Sequence, residues 1–216
     1  MKFFGITGEW AIRAEQISYA TDICPAEEFG ELLWASGIQR NAHLALELIF
    51  LGDGAVWIWN LVQTYFPDAI QIVDWFHACE YLAPVAKIAF ADKTRQTEWL
   101  QQVKQLLWDG QLDAVIVACA QHIHSQADDD PAQAAVTYYT NNRSRMDYPT
   151  YRANGYQIGS GTIESGIKQI AQKRMKVAGA RWNFDSARRV AKARAAFLSR
   201  DWNAIADRRE LFAHAA

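Results

Sequence analysis

The sequence predicts a mainly helical protein with a small α/β part of two or three strands, interrupted by an α-helical insertion. Three observations lead there. The runs Leu48-Ile49-Phe50-Leu51 and Ala69-Ile70-Gln71-Ile72-Val73 each lead into an aspartate, and they have the composition of strands buried on both faces. Between them Ile58, Leu61, Val62 and Tyr65 recur at helical spacing, so the order is strand, helix, strand and the strands are parallel neighbours. From residue 78 to about residue 154 the apolar periodicity is helical throughout.

The chain has 216 residues, 50% of them hydrophobic, which excludes a disordered chain and suffices for one sizeable core or one domain with a large insertion. Cys24, Cys79 and Cys119 are odd in number and widely spaced, which suits reduced core thiols better than a disulfide framework. The N-terminus carries Lys2 and Glu9 without a signal-peptide pattern, and Glu47 interrupts the longest apolar run. Neither a leader nor a membrane span is expected. The net charge of −2 hides an asymmetry: residues 1–139 carry −11 and residues 140–216 carry +9. An acidic part can supply metal-binding carboxylates and a basic tail can hold phosphates, although the two also suit surfaces that attract each other.

Taken in order, the opening to Asp22 is hard to place, apart from an alternating Ile17-Ser18-Tyr19-Ala20-Thr21 that reads as a short third strand. Pro25-Ala26-Glu27-Glu28 starts a helix that should end near Gly37, followed by a helical run over residues 41–46. Gly52-Asp53-Gly54 closes the first apolar run and Asp74-Trp75-Phe76-His77 the second. Asp53 and Asp74 therefore emerge on the same rim, at the strand ends where ligands gather in open α/β sheets. In the helical stretch, Tyr81, Leu82, Val85 and Ala89 form one stripe, Trp99, Val103, Leu106 and Leu107 a second, and Leu112, Val115, Ile116, Cys119 and Ile123 a third. Asp130 before Pro131 reads as a helix N-cap rather than a metal loop. Cys119, His122 and His124 lack the spacing of a structural zinc site.

Gly159-Ser160-Gly161-Thr162-Ile163-Glu164-Ser165 then starts another helix. The two glycines permit a tight turn, Ser160 or Thr162 serves as cap, and Glu164 lies in the first turn with Lys168 on the same face. The pattern suits a capping box with an ordinary ion pair as well as a metal ligand. Beyond it the tail is cationic. Lys173, Arg174, Lys176 and Arg181 precede a helix whose stripe of Ala187, Val190, Ala191 and Leu198 leaves Arg188, Arg189 and Lys192 facing away. With Lys168, these cations make a face suited to DNA phosphates. Phosphodiester cleavage and strand transfer are served by two divalent cations about 3.5–4 Å apart, held by carboxylates. Asp53 and Glu164 fit that role. Asp74 and His77 add polar groups at the same rim, and equally suit a helix cap with a partly buried histidine.

Three ordered stretches, residues 52–60, 66–78 and 158–165, resemble bacterial insertion-sequence transposases of the Kra group, DDE enzymes related to Mutator-like elements. The resemblance runs from about Ala26 to the end. It implies a truncated ribonuclease-H-like core over residues 1–77, an α-helical insertion over 78–156, and a catalytic-glutamate helix with a basic tail over 157–216. It implies that Asp53 is the second acidic residue and Glu164 the third, both binding Mg²⁺ or Mn²⁺, with two ions in an intact site. Asp74 and His77 match the family's (C/D)xxH motif, and Arg181-Trp182 an Arg-Trp pair. The family's first aspartate has no match, because Asp22 stands outside a first-strand context. The expectation is the C-terminal part of a cytoplasmic, nucleoid-associated transposase, impaired alone. Its partners would be transposon-end and target DNA, and an upstream fragment or full-length transposase. A non-enzymatic DNA-binding or inhibitory fragment is the alternative.

Overall fold

The computed structural model describes residues 2–4, 10–12, 16–125 and 129–202. The chain divides into two compact units, one formed by Met1–Ala45 with Gly161–Ala216 and the other by Leu46–Ser160. Among the described residues the fold is mainly helical with a small two-stranded parallel sheet. No described helix is long and apolar enough to cross a membrane.

The first unit opens with a short antiparallel pair, β1 (Lys2–Phe4) and β2 (Trp10–Ile12). The strand expected over residues 17–21 is not formed. Alternation makes a strand only where another strand edge satisfies its backbone, and here the Tyr19 N–H instead donates to Ser199 Oγ at 2.8 Å. Helix α1 (Ala26–Gln39) starts behind Pro25 with Glu27 and Glu28 in its first turn, and it runs past Gly37. The helical run expected at residues 41–46 shrinks to a 3₁₀ turn, Ala42–Leu44. Asn41 adopts the left-handed conformation (φ 60°), which an α-helix cannot continue through.

The second unit is built on β3 (Ile49–Gly52), α2 (Val56–Tyr65) and β4 (Ile70–Val73). The strands are parallel, with Ile49 opposite Ile70 and Gly52 opposite Val73, as a strand-helix-strand crossover dictates. The helices that follow are α3 (Trp75–Glu80), α4 (Leu82–Ala89), α5 (Lys93–Trp108), α6 (Leu112–Ala120), α7 (Pro131–Asn141) and α8 (Tyr148–Ala153). Asp130 caps α7, its Oδ1 accepting from the Ala132 and Gln133 N–H groups at 2.9 and 3.1 Å. The sheet and these helices share one core. Val62 of α2, Ile72 and Val73 of β4, Leu82 and Val85 of α4, Val115 of α6, and Tyr139 and Tyr148 are all fully buried in it. Cys79 and Cys119 sit in the same core, where burial pushes both thiols up to about 12; Cys24 is partly exposed.

Back in the first unit, α9 (Gly161–Ile167) leads into a π-helical segment, Lys168–Gln172, then α10 (Lys173–Met175) and α11 (Phe184–Leu198). Asn183 caps α11 through the Ser186 N–H at 2.8 Å. The buried stripe of α11 is Ala187, Ala191 and Ala195, while Val190 and Leu198 are only partly covered. Small residues at four-residue spacing let Ile170 of the π segment pack closely, with Tyr19, Met175 and Leu198 around it.

Buried phenols tie the second unit together, so their hydroxyls carry a measurable share of its stability. The fully buried Tyr139 donates to the Ala78 carbonyl at 2.7 Å. Tyr139→Phe should leave that carbonyl without its donor and lower the stability of the full chain by about 1–3 kcal/mol, measured by urea unfolding.

Candidate functional site

The rim of the parallel sheet is where the second unit gathers its polar groups. Asp53 and Asp74 each follow a member of the registered pair Gly52 and Val73, and the Asp74 N–H donates to the Gly52 carbonyl at 2.7 Å. Chain direction thus brings the two carboxylates to one edge. Their environments differ.

Asp53 is exposed, and its Oδ1 accepts from the Ala55 N–H at 2.9 Å, closing a small turn. Asp74 is buried, with 3% of its surface exposed, and both of its oxygens receive backbone donors. Oδ1 takes the His77 N–H at 2.8 Å, capping α3, and Oδ2 takes the Ser160 N–H. The Trp75 N–H donates in turn to the Ile158 carbonyl at 2.8 Å. Asp74 therefore locks the loop of residues 158–160 against the end of β4. His77 is partly buried on α3, and its Nδ1 stands 3.3 Å from Glu80 Oε2.

Hard carboxylate oxygens have the chemistry that Mg²⁺ or Mn²⁺ takes. Asp53 fits as one such donor, being exposed with one oxygen outside its turn. Asp74 is placed less well, being 3% exposed with each oxygen already accepting a backbone N–H. Among the described residues no group of three His, Cys, Asp or Glu side chains is arranged to hold a metal ion.

Glu164 belongs to the other unit, where it is exposed in the first turn of α9. Neither of the two glycines before it takes a left-handed φ, and of the two it is Gly159 that packing requires. A Cβ on Gly159 would stand 2.7 Å from Phe76 Cε2, whereas one on Gly161 would meet nothing within 4 Å. Gly166, not singled out from sequence, lies so close to the Tyr19 ring that any side chain would collide with it. Lys168 falls at the first residue of the π-helical segment, where the winding that would continue a Glu164–Lys168 ridge widens.

The cationic tail splits into engaged and open groups. Lys168, Lys173, Arg174 and Lys176 are exposed, as are Arg181 and Arg189. Arg188 and Lys192 are held by Asp22, whose side chain is only 7% exposed. The Arg188 fork reaches Asp22 Oδ1 at 2.5 Å and Oδ2 at 2.9 Å, and Lys192 Nζ reaches Oδ2 at 2.7 Å. The Arg188 guanidinium, helped by Lys192, holds the Asp22 carboxyl well below the usual carboxylate range.

Two residues at the rim escaped the sequence reading. Tyr138 of α7 donates its hydroxyl to the Asp53 carbonyl at 2.7 Å. Asn142, just after α7, donates to the Gly54 carbonyl at 3.4 Å and accepts from Trp59 Nε1 at 3.0 Å. Tyr138 carried no signal beyond its place on an amphipathic helix, and Asn142 none beyond its place after one.

Comparison with protein-family models, with curated proteins and with solved structures finds no match for this chain.

The Asp22 cluster yields a test of stability against pH. A carboxyl lowered in the folded state stabilises fully above its unfolded value of about 3.9, and the contribution fades as pH falls toward the folded value. Asp22→Asn should cost about 1–2 kcal/mol at pH 7, given that its partners are half-exposed. The gap between variant and parent in urea unfolding should narrow as pH falls from 5 toward about 2.

Proposed function

We propose that this chain is the C-terminal part of a DDE transposase of the Kra group, built on a partial ribonuclease-H-like core. In this reading Asp53 and Glu164 are its second and third acidic residues. The observation that carries the proposal is the placement of Asp53 and Asp74 one residue beyond a registered pair of parallel strands, within motifs that occur in the family's order. The loop bound to Asp74 supports it further. Ser160 is fixed to that rim, and Glu164 follows four residues later in the chain.

The reaction class is in-line displacement at a phosphodiester. Water attacks phosphorus and the 3′-oxygen of the cut strand leaves; the freed 3′-hydroxyl then attacks a target phosphodiester and displaces its 3′-oxygen. Mg²⁺ or Mn²⁺, when bound, would stabilise the entering and leaving oxygens. Asp53 offers an exposed carboxylate from the sheet rim, and Glu164 one from the start of α9. Asp74 acts as a structural anchor that orders the segment before Glu164. Lys173, Arg174, Lys176, Arg181 and Arg189 face the DNA backbone, where each cation that meets a phosphate releases condensed counterions. Residues matching two of three acidic positions make a weak catalyst, so the reading calls for a further acidic residue beyond those matched here.

The second reading, a DNA-binding fragment that does not cleave, is favoured by one observation. Asp74 is buried with a backbone donor on each carboxylate oxygen, so Asp53 is the exposed acid of the pair.

The two readings separate in one assay, in which the full chain is mixed with terminal-repeat DNA and Mn²⁺, with and without a polypeptide carrying the upstream strand. Cleavage that appears only in the mixture and is abolished by Glu164→Gln supports the transposase. Tight binding that weakens steeply with salt, without cleavage in either mixture and without effect of Glu164→Gln, supports the binding fragment. Replacing Arg189 by Ala should weaken binding on all sequences alike and reduce the salt slope by about one.

A further inference from the structure

The sequence reads α7 as part of a helical insertion, yet α7 and the residue after it hold the backbone of the Asp53 turn. The Tyr138 hydroxyl donates to the Asp53 carbonyl at 2.7 Å. The Asn142 amide donates to the Gly54 carbonyl at 3.4 Å and to the Tyr138 carbonyl at 3.1 Å. Two successive carbonyls of the turn are thus held from one helix end, while the Ala55 N–H closes the turn from inside on Asp53 Oδ1 at 2.9 Å.

Both donors are themselves fixed. Tyr138 is 8% exposed, and its ring stacks on Tyr81 with centroids 3.8 Å apart. Asn142 is 3% exposed, and the Trp59 indole N–H donates to its Oδ1 at 3.0 Å, which sets the amide so that Nδ2 faces the turn. The fit is close enough to dictate sequence on the other side. Gly54 has φ +97°, and a Cβ there would stand 2.6 Å from Tyr138 Cε2. A side chain at residue 54 would break both the conformation and the contact.

We infer that Tyr138 and Asn142 are positioning residues for the Asp53 carboxylate, so that the helical segment contributes to the acidic site. This rests on the reading of Asp53 as a site residue. Neither side chain touches the reacting atoms. Their effect passes through the two carbonyls to the turn, and from the turn to the carboxylate that the Ala55 N–H orients. A carboxylate on an exposed rim loses orientation once its backbone is released, and a ligand held loosely binds its cation less well.

The test compares two phenylalanine variants of the full chain. Tyr138→Phe removes the donor to the Asp53 carbonyl and keeps the ring, whereas Tyr139→Phe removes a donor of the same kind that serves Ala78. After allowance for each variant's loss of global stability, measured by urea unfolding, amide hydrogen exchange at Ala55 should remain about three- to tenfold faster than the parent in Tyr138→Phe and match the parent in Tyr139→Phe. The Mn²⁺ concentration that half-broadens the Gly54 and Ala55 amide signals should rise several-fold in Tyr138→Phe. Asp53→Asn should abolish the broadening. Asn142→Ser, which withdraws the Gly54 donor, should shift exchange in the same direction and keeps the test open should Tyr138→Phe fold poorly. With global stability allowed for in the same way, unchanged exchange at Ala55 in both the Tyr138 and Asn142 variants overturns the inference, as does an equal residual acceleration in Tyr139→Phe. Absence of broadening in the parent protein removes the metal role of Asp53, and the exchange comparison then decides the positioning role by itself.

Discussion

A two-stranded parallel sheet leaves backbone carbonyls at its carboxyl end with no further strand to serve them, and buried carbonyls need donors. In this protein α7, α8 and the residue after α7 supply them. Tyr148 donates to Val73, Tyr138 to Asp53 and Asn142 to Gly54, and Tyr139 serves Ala78 of the following helix α3. Arg145 adds a 2.7 Å bond to the Gln71 side chain, and its guanidinium lies 4.8 Å from the Trp59 ring centroid. Each bond contributes modestly to stability, but leaving any of these carbonyls without a donor costs more than the bond is worth. A pair of strands this short is marginal alone. The helices supply both the apolar cover and the donors that make it stable, and in doing so they set the geometry of the turn that carries Asp53.

The first unit depends on a different constraint. Asp22 is nearly buried and meets two cations of α11. A lone carboxylate there would be costly, so the segment before α1 and the face of α11 that carries Arg188 and Lys192 require each other. The consequence for function is selective. Two of the cations that look available for phosphate in the sequence are already engaged, and the open ones lie at residues 168–181 and at Arg189.

Periodicity made the strand-helix-strand order and the long helical stretch legible, because both follow from local burial patterns. The caps at Asp130 and Asp74 were legible for the same reason, since a cap needs only the next few residues. The strand expected at residues 17–21 failed because pairing is not local. Asp22 and Arg188 are 166 positions apart, and Tyr138 is 85 from Asp53. No local pattern joins them. Asp74 illustrates a subtler limit. Its place on the rim was readable, but whether its oxygens stay open depended on a loop 86 residues downstream. Gly159 answers to the Phe76 ring, and Gly166, which carried no local signal, to the Tyr19 ring.

The helices of residues 131–153 and the two-stranded sheet form one cooperative structure, with the Asp53 rim fixed by their contact. Native-state hydrogen exchange under increasing denaturant tests it most directly, because cooperative units reveal themselves by a shared opening free energy. Amides of β3, β4, α7 and α8 should converge on one isotherm and exchange only through the same opening. Exchange of α7 and α8 through a separate, lower-energy opening that leaves β3 and β4 protected would contradict it.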